Sequence, residues 1–341
     1  MRAVRFDGEF LRVATDAIDP VLGSGEALVH PMRVLASPAD SGGKWAGVVG
    51  HQFVGVVKKI NIPADASPLM LARKSLLNKR VVGSPTIVCT HCDMCRAGLP
   101  SHCRARRVMG LSSRDGCCAD LFSIPLANLI EVPSSIDDDR AVFSLLAAGA
   151  VQAGQMMRAA SKSYITVIGD SSLALITAQV LARQNKSTRL LYAQPDRARL
   201  CERWGIKSRA IEEPGRRQDQ DVVVECTGSA KGLRLALQFV RPRGVVLLKS
   251  SAAGVPFPPG QAHPDDVAGP WAEGIDLTPA IVNEVQILGC REASIADGLG
   301  ALTDAGVDVT SLITKRMKLD DAPAAIAAAM CPDQIAVLMD V

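Results

Sequence analysis

The alternation of apolar and polar positions changes character near residue 136. Before that point, short strand-like runs are broken by Gly, Pro and Asp, a pattern that predicts an irregular β-rich domain. These runs are residues 27–29, 53–60, 80–82 and 121–124. Residues 62–78 interrupt the pattern with Ala, Leu, Met and Lys, which indicates a helical insertion or a mobile excursion.

After residue 136, apolar runs alternate with segments of helical composition. Strands are predicted at 164–168, 189–192, 221–226, 245–249 and 285–288. Helices are predicted at 137–157, 173–183, 196–204 and 231–240, the first of them capped by Ser134 or Ser135. Strands that alternate with helices are typical of an α/β protein with a parallel, doubly wound sheet.

Two stretches near the C-terminus complete the pattern. Residues 251–277 are rich in Pro and Gly, and a loop of this length is either functional or disordered. Residues 295–341 predict Ala-rich helices and a terminal strand at 335–338.

Composition and charge narrow the class of protein. The 341 residues are enough for two domains, and 48% hydrophobic with 21% charged residues is ordinary for a globular enzyme. A net charge of +3 gives no reason to expect a nucleic-acid or membrane partner. The N-terminus has no signal-peptide core, and the longest apolar run, 141–151, is too short to span a bilayer. We therefore expect a cytoplasmic protein.

Four of the ten cysteines lie in one short stretch at the spacing C-x2-C-x2-C-x7-C. They are Cys89, Cys92, Cys95 and Cys103. Four thiolates match the tetrahedral preference of Zn2+, and a site with four protein ligands keeps no position open for chemistry. The stretch therefore predicts one structural zinc ion per chain. An iron–sulfur site and redox-active cysteines are the alternatives.

The remaining six cysteines show no paired spacing. Cys226 and Cys290 lie in apolar strand-like runs, so we expect them to be small core residues. The adjacent Cys117 and Cys118 are also expected to be inert.

The turn after the strand at 164–168 is the expected dinucleotide site. A dinucleotide fingerprint needs glycine at three places, and here the places hold Gly169, Ser171 and Ala174. Ala174 is an accepted replacement, but the Ser171 side chain is expected to point into the path of the pyrophosphate. Asp170 adds negative charge there. Tyr192 stands at the end of the second strand, where an acidic residue would bind the ribose.

Other features of this half do not decide which nucleotide is bound. The helix after Gly169 still offers N–H groups and a favourable dipole to phosphate. Arg197 and Arg199 are candidates to approach a 2′-phosphate, although arginines on a surface helix are usually solvated. The sequence thus predicts the fold of a nucleotide-binding domain and leaves open whether NAD, NADP or neither is bound.

The chain resembles the medium-chain dehydrogenase/reductase superfamily, the zinc-type alcohol dehydrogenases, over essentially its whole length. Besides the cysteine stretch, the matching segments are 50–57 (GHQFVGVV), 80–83 (RVVG), 164–183, 222–228 (VVVECTG) and 312–316 (LITKR). The resemblance implies a GroES-like catalytic domain at residues 1–135 and 291–341 and a Rossmann domain at 136–290. It also implies oxidation of an alcohol with NAD or NADP, and a homodimer or homotetramer.

The resemblance implies a second, catalytic zinc ion, whose ligand positions are changed in this chain. The family cysteine falls on Ser37, the acid after the retained His51 falls on Gln52, and the remaining ligand falls on Ser144. Neutral Ser and Gln are poor zinc ligands, so we expect the catalytic zinc to be absent. Asp40 matches the acid that orients the family histidine, and an Asp40–His51 pair beside Ser37 can do acid–base work without a metal ion.

Two hypotheses from different classes follow. In the first, the protein is a metal-independent NAD(P)-linked oxidoreductase for a small alcohol or carbonyl compound. His51 is its acid–base group, and hydride passes to a nicotinamide near Thr227 and Ser250. In the second, the protein is a non-catalytic member that serves in binding or assembly, which the coordinated changes at the metal, glycine and ribose positions favour.

Two further classes are disfavoured. Ser37, His51 and Asp40 are the residue types of a nucleophilic triad, but remnants of a lost metal site explain them better than a hydrolase does. A nucleic-acid-binding zinc ribbon is disfavoured because the net charge is low and no basic stripe surrounds the cysteines.

Overall fold

The computed structural model describes residues 1–41, 45–158, 164–213, 217–250, 274–303 and 306–341. These residues form two compact units. The first unit contains Met1–Leu145 and Ile313–Val341, and the second contains the described residues of 146–312. Both changes between units lie further along the chain than the domain limits expected after residues 135 and 290, and those limits remain a prediction.

The strands and helices have the following bounds. The strands are β1 (Ala3–Phe6), β2 (Leu11–Ala14), β3 (Glu26–Leu35), β4 (Gly47–Val48), β5 (Phe53–Asn61), β6 (Arg80–Gly83), β7 (Thr86–Ile87), β8 (Arg107–Val108), β9 (Phe122–Pro125), β10 (Leu129–Glu131), β11 (Ile165–Ile168), β12 (Thr188–Tyr192), β13 (Lys207–Ala210), β14 (Gln220–Glu225), β15 (Val240–Leu248), β16 (Gln286–Gly289), β17 (Ile313–Lys318) and β18 (Ala336–Asp340). The α-helices are α1 (Pro68–Ala72), α2 (Asp93–Arg96), α3 (Asp138–Ala141), α4 (Ser144–Arg158), α5 (Ser172–Gln184), α6 (Asp196–Arg203), α7 (Ala230–Phe239), α8 (Thr278–Val282), α9 (Ile295–Thr303) and α10 (Ala322–Ala329).

The largest sheet of the first unit has the order β10-β6-β5-β3-β18-β17, and β9 also pairs with β3. Strand β18 runs antiparallel to β3 with Leu338 opposite Leu35, so residues from the chain's last strand complete a sheet begun near its start. Strands β3 and β5 pair with Val34 opposite Phe53. The segment that follows β3 and the segment that precedes β5 therefore leave the sheet side by side, and both carry candidate site residues.

A buried apolar cluster holds this sheet together. Phe53 of β5 and Phe122 of β9 meet edge to face with ring centroids 4.7 Å apart, and both side chains are almost fully buried. Side chains from β3, β6, β18 and α10 surround them. This aromatic contact lies at the start of β5, two residues after His51.

The second unit contains, within its described residues, a parallel sheet of order β13-β12-β11-β14-β15-β16. In chain order this is 3-2-1-4-5-6, the order of a doubly wound dinucleotide-binding sheet, so the predicted α/β architecture is confirmed. The strand order reverses between β11 and β14, and ligands of such sheets bind outside the carboxyl ends at that point. Strand β13, with the sequence KSRA, was not predicted because it lacks an apolar run.

The predicted helix 137–157 and the predicted loop 251–277 need separate comment. The predicted helix 137–157 is divided into α3 and α4, and its N-cap is Asp137, whose carboxylate accepts the N–H of Arg140 at 2.8 Å, instead of Ser134 or Ser135. The predicted loop 251–277 lies outside the described residues up to residue 273. In the part of the chain that the structure describes, no helix has the length and apolarity needed to cross a bilayer.

Candidate functional site

The four predicted zinc ligands lie together. The sulfur atoms of Cys89, Cys92, Cys95 and Cys103 are all within 4.8 Å of one another. The Cys103 sulfur is 3.5 Å from that of Cys89 and 3.9 Å from that of Cys92. Tetrahedral Zn–S bonds of about 2.3 Å would place the sulfurs about 3.8 Å apart. The donor set and its spacing therefore fit a Zn2+ ion.

The cysteine loop, residues 89–103, is closed by local contacts. The carboxylate of Asp93, in α2, forms a two-bond ion pair with Arg104 at 2.7 and 2.6 Å. This pair joins the turn after Cys92 to the residue after Cys103, and it lowers the pKa of Asp93 to about 2. The pKa of Cys92 is lowered to about 6, mainly because its sulfur accepts the backbone N–H of Cys95. The pKa of Cys95 is raised to about 12, mainly by burial. A cation among the sulfurs would favour the thiolate form of all of them.

The second group of predicted residues is centred on His51. Its Nδ1 lies 2.8 Å from Asp40 Oδ1, and both side chains are buried, with 8% of His51 and none of Asp40 exposed. The other carboxylate oxygen of Asp40 accepts the backbone N–H of Ser37 at 3.0 Å. A carboxylate cannot donate, so Nδ1 carries the proton and Nε2 is left with its lone pair. This arrangement can take up a proton at Nε2 and stabilise the resulting imidazolium.

The backbone before His51 is set by a close approach that only glycine allows. Gly50 has φ +95°, and a Cβ there would lie 2.4 Å from the sulfur of Cys118. The N–H of Cys117 donates to the Gly50 carbonyl at 3.0 Å, so the two segments run in direct contact. Cys117 and Cys118 are fully buried in this packing, which supports their expected inertness. Gly50 thereby fixes the direction in which His51 leaves the backbone.

The other residues expected around His51 have different roles. The Ser37 hydroxyl accepts the N–H of Ala39 at 3.2 Å, and the hydrogen bonds of the described residues include none between that hydroxyl and the His51 ring. Gln52 is buried, and within the described part of the chain its Oε1 has no hydrogen-bond partner. Ser144 is buried at the start of α4. The structure thus joins Asp40 to His51 and does not assemble the residues of a nucleophilic triad.

The glycine turn of the second unit connects β11 to α5. Gly169 has φ +123°, and Ala174 packs 3.5 Å from the place where a Gly169 Cβ would stand. Ser171 is the N-cap of α5, and its hydroxyl accepts the N–H of Ala174 at 3.4 Å. The hydroxyl is therefore directed at the first turn of the helix, and it occupies one of the N–H groups that a phosphate would otherwise meet.

Sequence reasoning missed the role of Asp170. Its Oδ2 accepts the N–H groups of Ala193 at 3.0 Å and of Gln194 at 2.8 Å, directly after β12. The Nε of Arg197 donates to the Asp170 carbonyl at 3.2 Å, and only 1% of Arg197 is exposed. Arg197 is therefore buried against the glycine turn and is not a solvated surface residue, whereas Arg199 is exposed.

The turn after β14 is held by a buried acid. The Glu225 carboxylate accepts the N–H of Thr227 at 2.6 Å and of Gly228 at 3.0 Å, and it also binds the Thr227 hydroxyl. Burial raises the pKa of Glu225, and these hydrogen bonds act against the rise. Thr227 itself is exposed at the carboxyl edge of the sheet, and Tyr192, at the end of β12, is half-buried.

Lys249 is a partly buried charged residue to which the sequence analysis assigned no role. It follows β15, and its Nζ donates to the carbonyls of Cys290, at 3.0 Å, and Arg291. Burial lowers the pKa of Lys249. The amine thereby ties the ends of β15 and β16 together next to Ser250, which is half-buried. Cys226 and Cys290 are buried here, as the sequence predicted.

Comparison with known proteins agrees with this architecture. The sequence profile of the alcohol dehydrogenase GroES-like domain matches residues 23–134. L-threonine 3-dehydrogenase from Escherichia fergusonii is 25% identical over 333 residues, which cover 90% of this chain and 89% of that protein. The profile includes the cysteine loop and the Gly50-His51 segment, and the dehydrogenase match extends over both units.

Solved structures show the same fold. A protein from Sinorhizobium meliloti 1021, assigned as a zinc-binding dehydrogenase and bound to NADP, has a TM-score of 0.79 at 22% identity, covering 100% of this chain and 99% of that one. L-Idonate 5-dehydrogenase from Escherichia coli K-12 has a TM-score of 0.80 at 16% identity, covering 100% and 98%. In fold, domain profile and relatives, the chain is thus similar to the medium-chain dehydrogenases/reductases, and residues 23–134 match their alcohol dehydrogenase GroES-like domain.

Proposed function

We propose that the protein is a nicotinamide-linked oxidoreductase of a small alcohol or carbonyl compound, in which His51 moves the proton without a catalytic metal ion. The observation that carries the proposal is the buried contact of 2.8 Å between His51 Nδ1 and Asp40 Oδ1. The dehydrogenase relatives support the reaction class. The order of the parallel sheet in the second unit supports a dinucleotide as the cofactor.

The proposed chemistry requires one proton and one hydride to leave the alcohol. His51 Nε2 takes the hydroxyl proton during oxidation and returns it during reduction of the carbonyl. Asp40 holds the ring with Nδ1–H directed at its carboxylate, which keeps Nε2 free to accept and stabilises the charged ring. The bound nicotinamide supplies hydride transfer. The buried Gln52 Oε1 is a further acceptor, suited to a donor group of the substrate.

The residues proposed to hold the dinucleotide come from three strand ends. Gly169, Ser171 and Ala174 form the turn and first helical turn after β11. Tyr192 ends β12, and Thr227 and Ser250 follow β14 and β15. A half-buried tyrosine, an exposed threonine and the N–H groups of a helix start are suitable for ribose, nicotinamide and pyrophosphate, respectively.

We also propose a single zinc ion per chain, at the cysteine loop. Its support is the four-sulfur set within 4.8 Å, which fits Zn2+ and leaves no open ligand position. Around His51, the implied ligand positions hold the neutral side chains of Ser37, Gln52 and Ser144. One imidazole with neutral oxygens is a poor zinc site, which supports acid–base chemistry by the protein itself.

A non-catalytic role is the second candidate, and the Ser171 cap favours it. The dinucleotide fingerprint has a glycine at this position, because a residue without a side chain lets the backbone approach the pyrophosphate closely. Here the position holds Ser171, whose hydroxyl accepts the N–H of Ala174. A protein that serves only in binding or assembly would tolerate this change. Nucleotide binding separates the two candidates, since the second predicts none.

The test of the proposed function is a turnover assay with a matched histidine control. NADH or NADPH oxidation is followed by absorbance with a panel of aldehydes and ketones, for the native protein, His51→Gln and His102→Gln. His102 is exposed and lies outside the His51–Asp40 pair. We expect His51→Gln to lower the rate by about 10²–10⁴-fold, with His102→Gln unchanged and no gain on adding zinc. Equal rates for the native protein and His51→Gln would contradict the proposal.

A further inference from the structure

The carboxylate of Asp170 lies at the end of the strand next to its own. Asp170 follows β11 through Gly169, and its Oδ2 is fixed by the consecutive N–H groups of Ala193 and Gln194, at 3.0 and 2.8 Å. Strands β11 and β12 are parallel neighbours with Ile168 opposite Leu191. A negative charge from the first turn is thus held at the carboxyl end of the second strand.

That place has a defined chemistry in dinucleotide-binding sheets. An acid at the end of the second strand accepts hydrogen bonds from the ribose hydroxyls of NAD, whereas an arginine there accommodates the 2′-phosphate of NADP. In this chain the strand itself ends in Tyr192 and provides no acid. Among the hydrogen bonds of the described residues, Asp170 Oδ1 has none, so this oxygen remains able to accept.

We propose that Asp170 supplies the ribose-binding carboxylate that the second strand lacks, and that it selects NAD(H) over NADP(H). The inference rests on the proposed function, because it names which nicotinamide dinucleotide that site takes. A 2′-phosphate would place about two negative charges beside a carboxylate. Arg197 lies beside this carboxylate, but it is buried, paired with Asp196 and bonded to the Asp170 carbonyl, so its charge is already in use.

The test compares dinucleotide affinities by calorimetry for the native protein, Asp170→Asn, Asp170→Glu and Glu202→Gln. Asn keeps the size and removes the charge, Glu keeps the charge, and Glu202 is an exposed acid on α6 that serves as control. We expect the native protein to bind NADH roughly tenfold or more tightly than NADPH. Asp170→Asn should lose most of this preference, whereas Asp170→Glu and Glu202→Gln should retain it. Preference of the native protein for NADPH, or an unchanged ratio in Asp170→Asn, would overturn the inference.

Adenosine fragments separate this inference from the proposed function. 5′-AMP and 2′,5′-ADP lack the nicotinamide and differ from each other only in the 2′-phosphate, so the ratio of their affinities reports on the ribose site. Preference for 5′-AMP that disappears in Asp170→Asn supports the inference even if no substrate is ever turned over. Turnover of NADH with an unchanged fragment preference supports the proposed function and overturns the inference. Binding of 5′-AMP that arises only in Asp170→Asn would mean that Asp170 closes the site, which also overturns the inference.

Discussion

Replacing Asp40 by Asn tests the His51–Asp40 pair with the smallest change of shape. The native carboxylate is fully buried and accepts two hydrogen bonds, from His51 Nδ1 at 2.8 Å and from the Ser37 N–H at 3.0 Å. Asn offers one acceptor and one donor in the same space. If its oxygen faces His51, its NH2 group opposes the Ser37 N–H. If its oxygen faces Ser37, its NH2 group donates to His51 Nδ1.

The second orientation keeps two hydrogen bonds and is therefore expected. It moves the proton of His51 from Nδ1 to Nε2, because Nδ1 must now accept. Hydrogen bonds to a charged group contribute about 1.5–3 kcal/mol each, against about 0.5–1.5 kcal/mol for neutral ones. We therefore expect Asp40→Asn to lower the free energy of unfolding by about 1–3 kcal/mol. Proton transfer should fall by about 10²–10⁴-fold, since Nε2 has lost its lone pair.

The assay combines urea unfolding with nitrogen NMR of selectively labelled histidines, in which the two tautomers give different shifts and His51→Gln assigns the signal. Ser37→Ala is the matched control. It removes a hydroxyl that accepts from Ala39 and leaves the backbone N–H of Ser37 on Asp40 in place. The control should keep the native tautomer. An Asp40→Asn protein with native stability and an Nδ1 proton on His51 would refute the reasoning.

Three other positions give expectations that need no substrate. Cys95→Ser should lower both the zinc content and the melting temperature, because one of four sulfur ligands is lost. Gly50→Ala should lower the melting temperature of the protein more than Gly98→Ala does. Both glycines have positive φ, but of these two only Gly50 has neighbouring atoms that an added Cβ would meet, the nearest at 2.4 Å. A hydrogen bond from Arg316 is the main cause that lowers the pKa of Asp139. The stability that this ion pair contributes is therefore present above the unfolded pKa of 3.8 and is lost as the pH falls through the folded value. The melting temperature of Asp139→Asn should accordingly fall less than that of the native protein between about pH 5 and 3.

Each expectation has an outcome that contradicts it. Full zinc content in Cys95→Ser would exclude that sulfur as a ligand, and the exposed Cys331, replaced by Ser, controls for thiol loss. Equal destabilisation of Gly50→Ala and Gly98→Ala would mean that the Cys118 segment yields to the added methyl group. An unchanged acid dependence in Asp139→Asn would show that its ion pair contributes nothing to folding.

Features that depend on neighbours in the sequence were predictable. The cysteine loop has its ligands within a few residues of one another, and the alternation of strands with helices is a periodic signal. The association of Asp40 with His51 came from the family resemblance, and the structure places their atoms 2.8 Å apart. Cytoplasmic location and a homodimer or homotetramer remain predictions.

Features that depend on contacts between distant segments were not predictable. The sequence places Asp170 near phosphates, but its bond to Ala193 and Gln194 exists only because β11 and β12 are neighbours in the sheet. Burial of Arg197 and the carbonyl contacts of Lys249 have the same origin. These charged residues carry no periodic signal, since each is buried by its surroundings and not by its own hydrophobicity.

A titration of the native protein with NADH, followed by nicotinamide fluorescence and by heat, decides whether the second unit binds a dinucleotide. We expect saturable binding with a Kd in the micromolar range, on the order of 1–100 μM. Binding would show that the Ser171 cap and the Tyr192 strand end still accept a dinucleotide. Absence of binding at millimolar NADH would exclude a nicotinamide-linked oxidoreductase and favour the non-catalytic role.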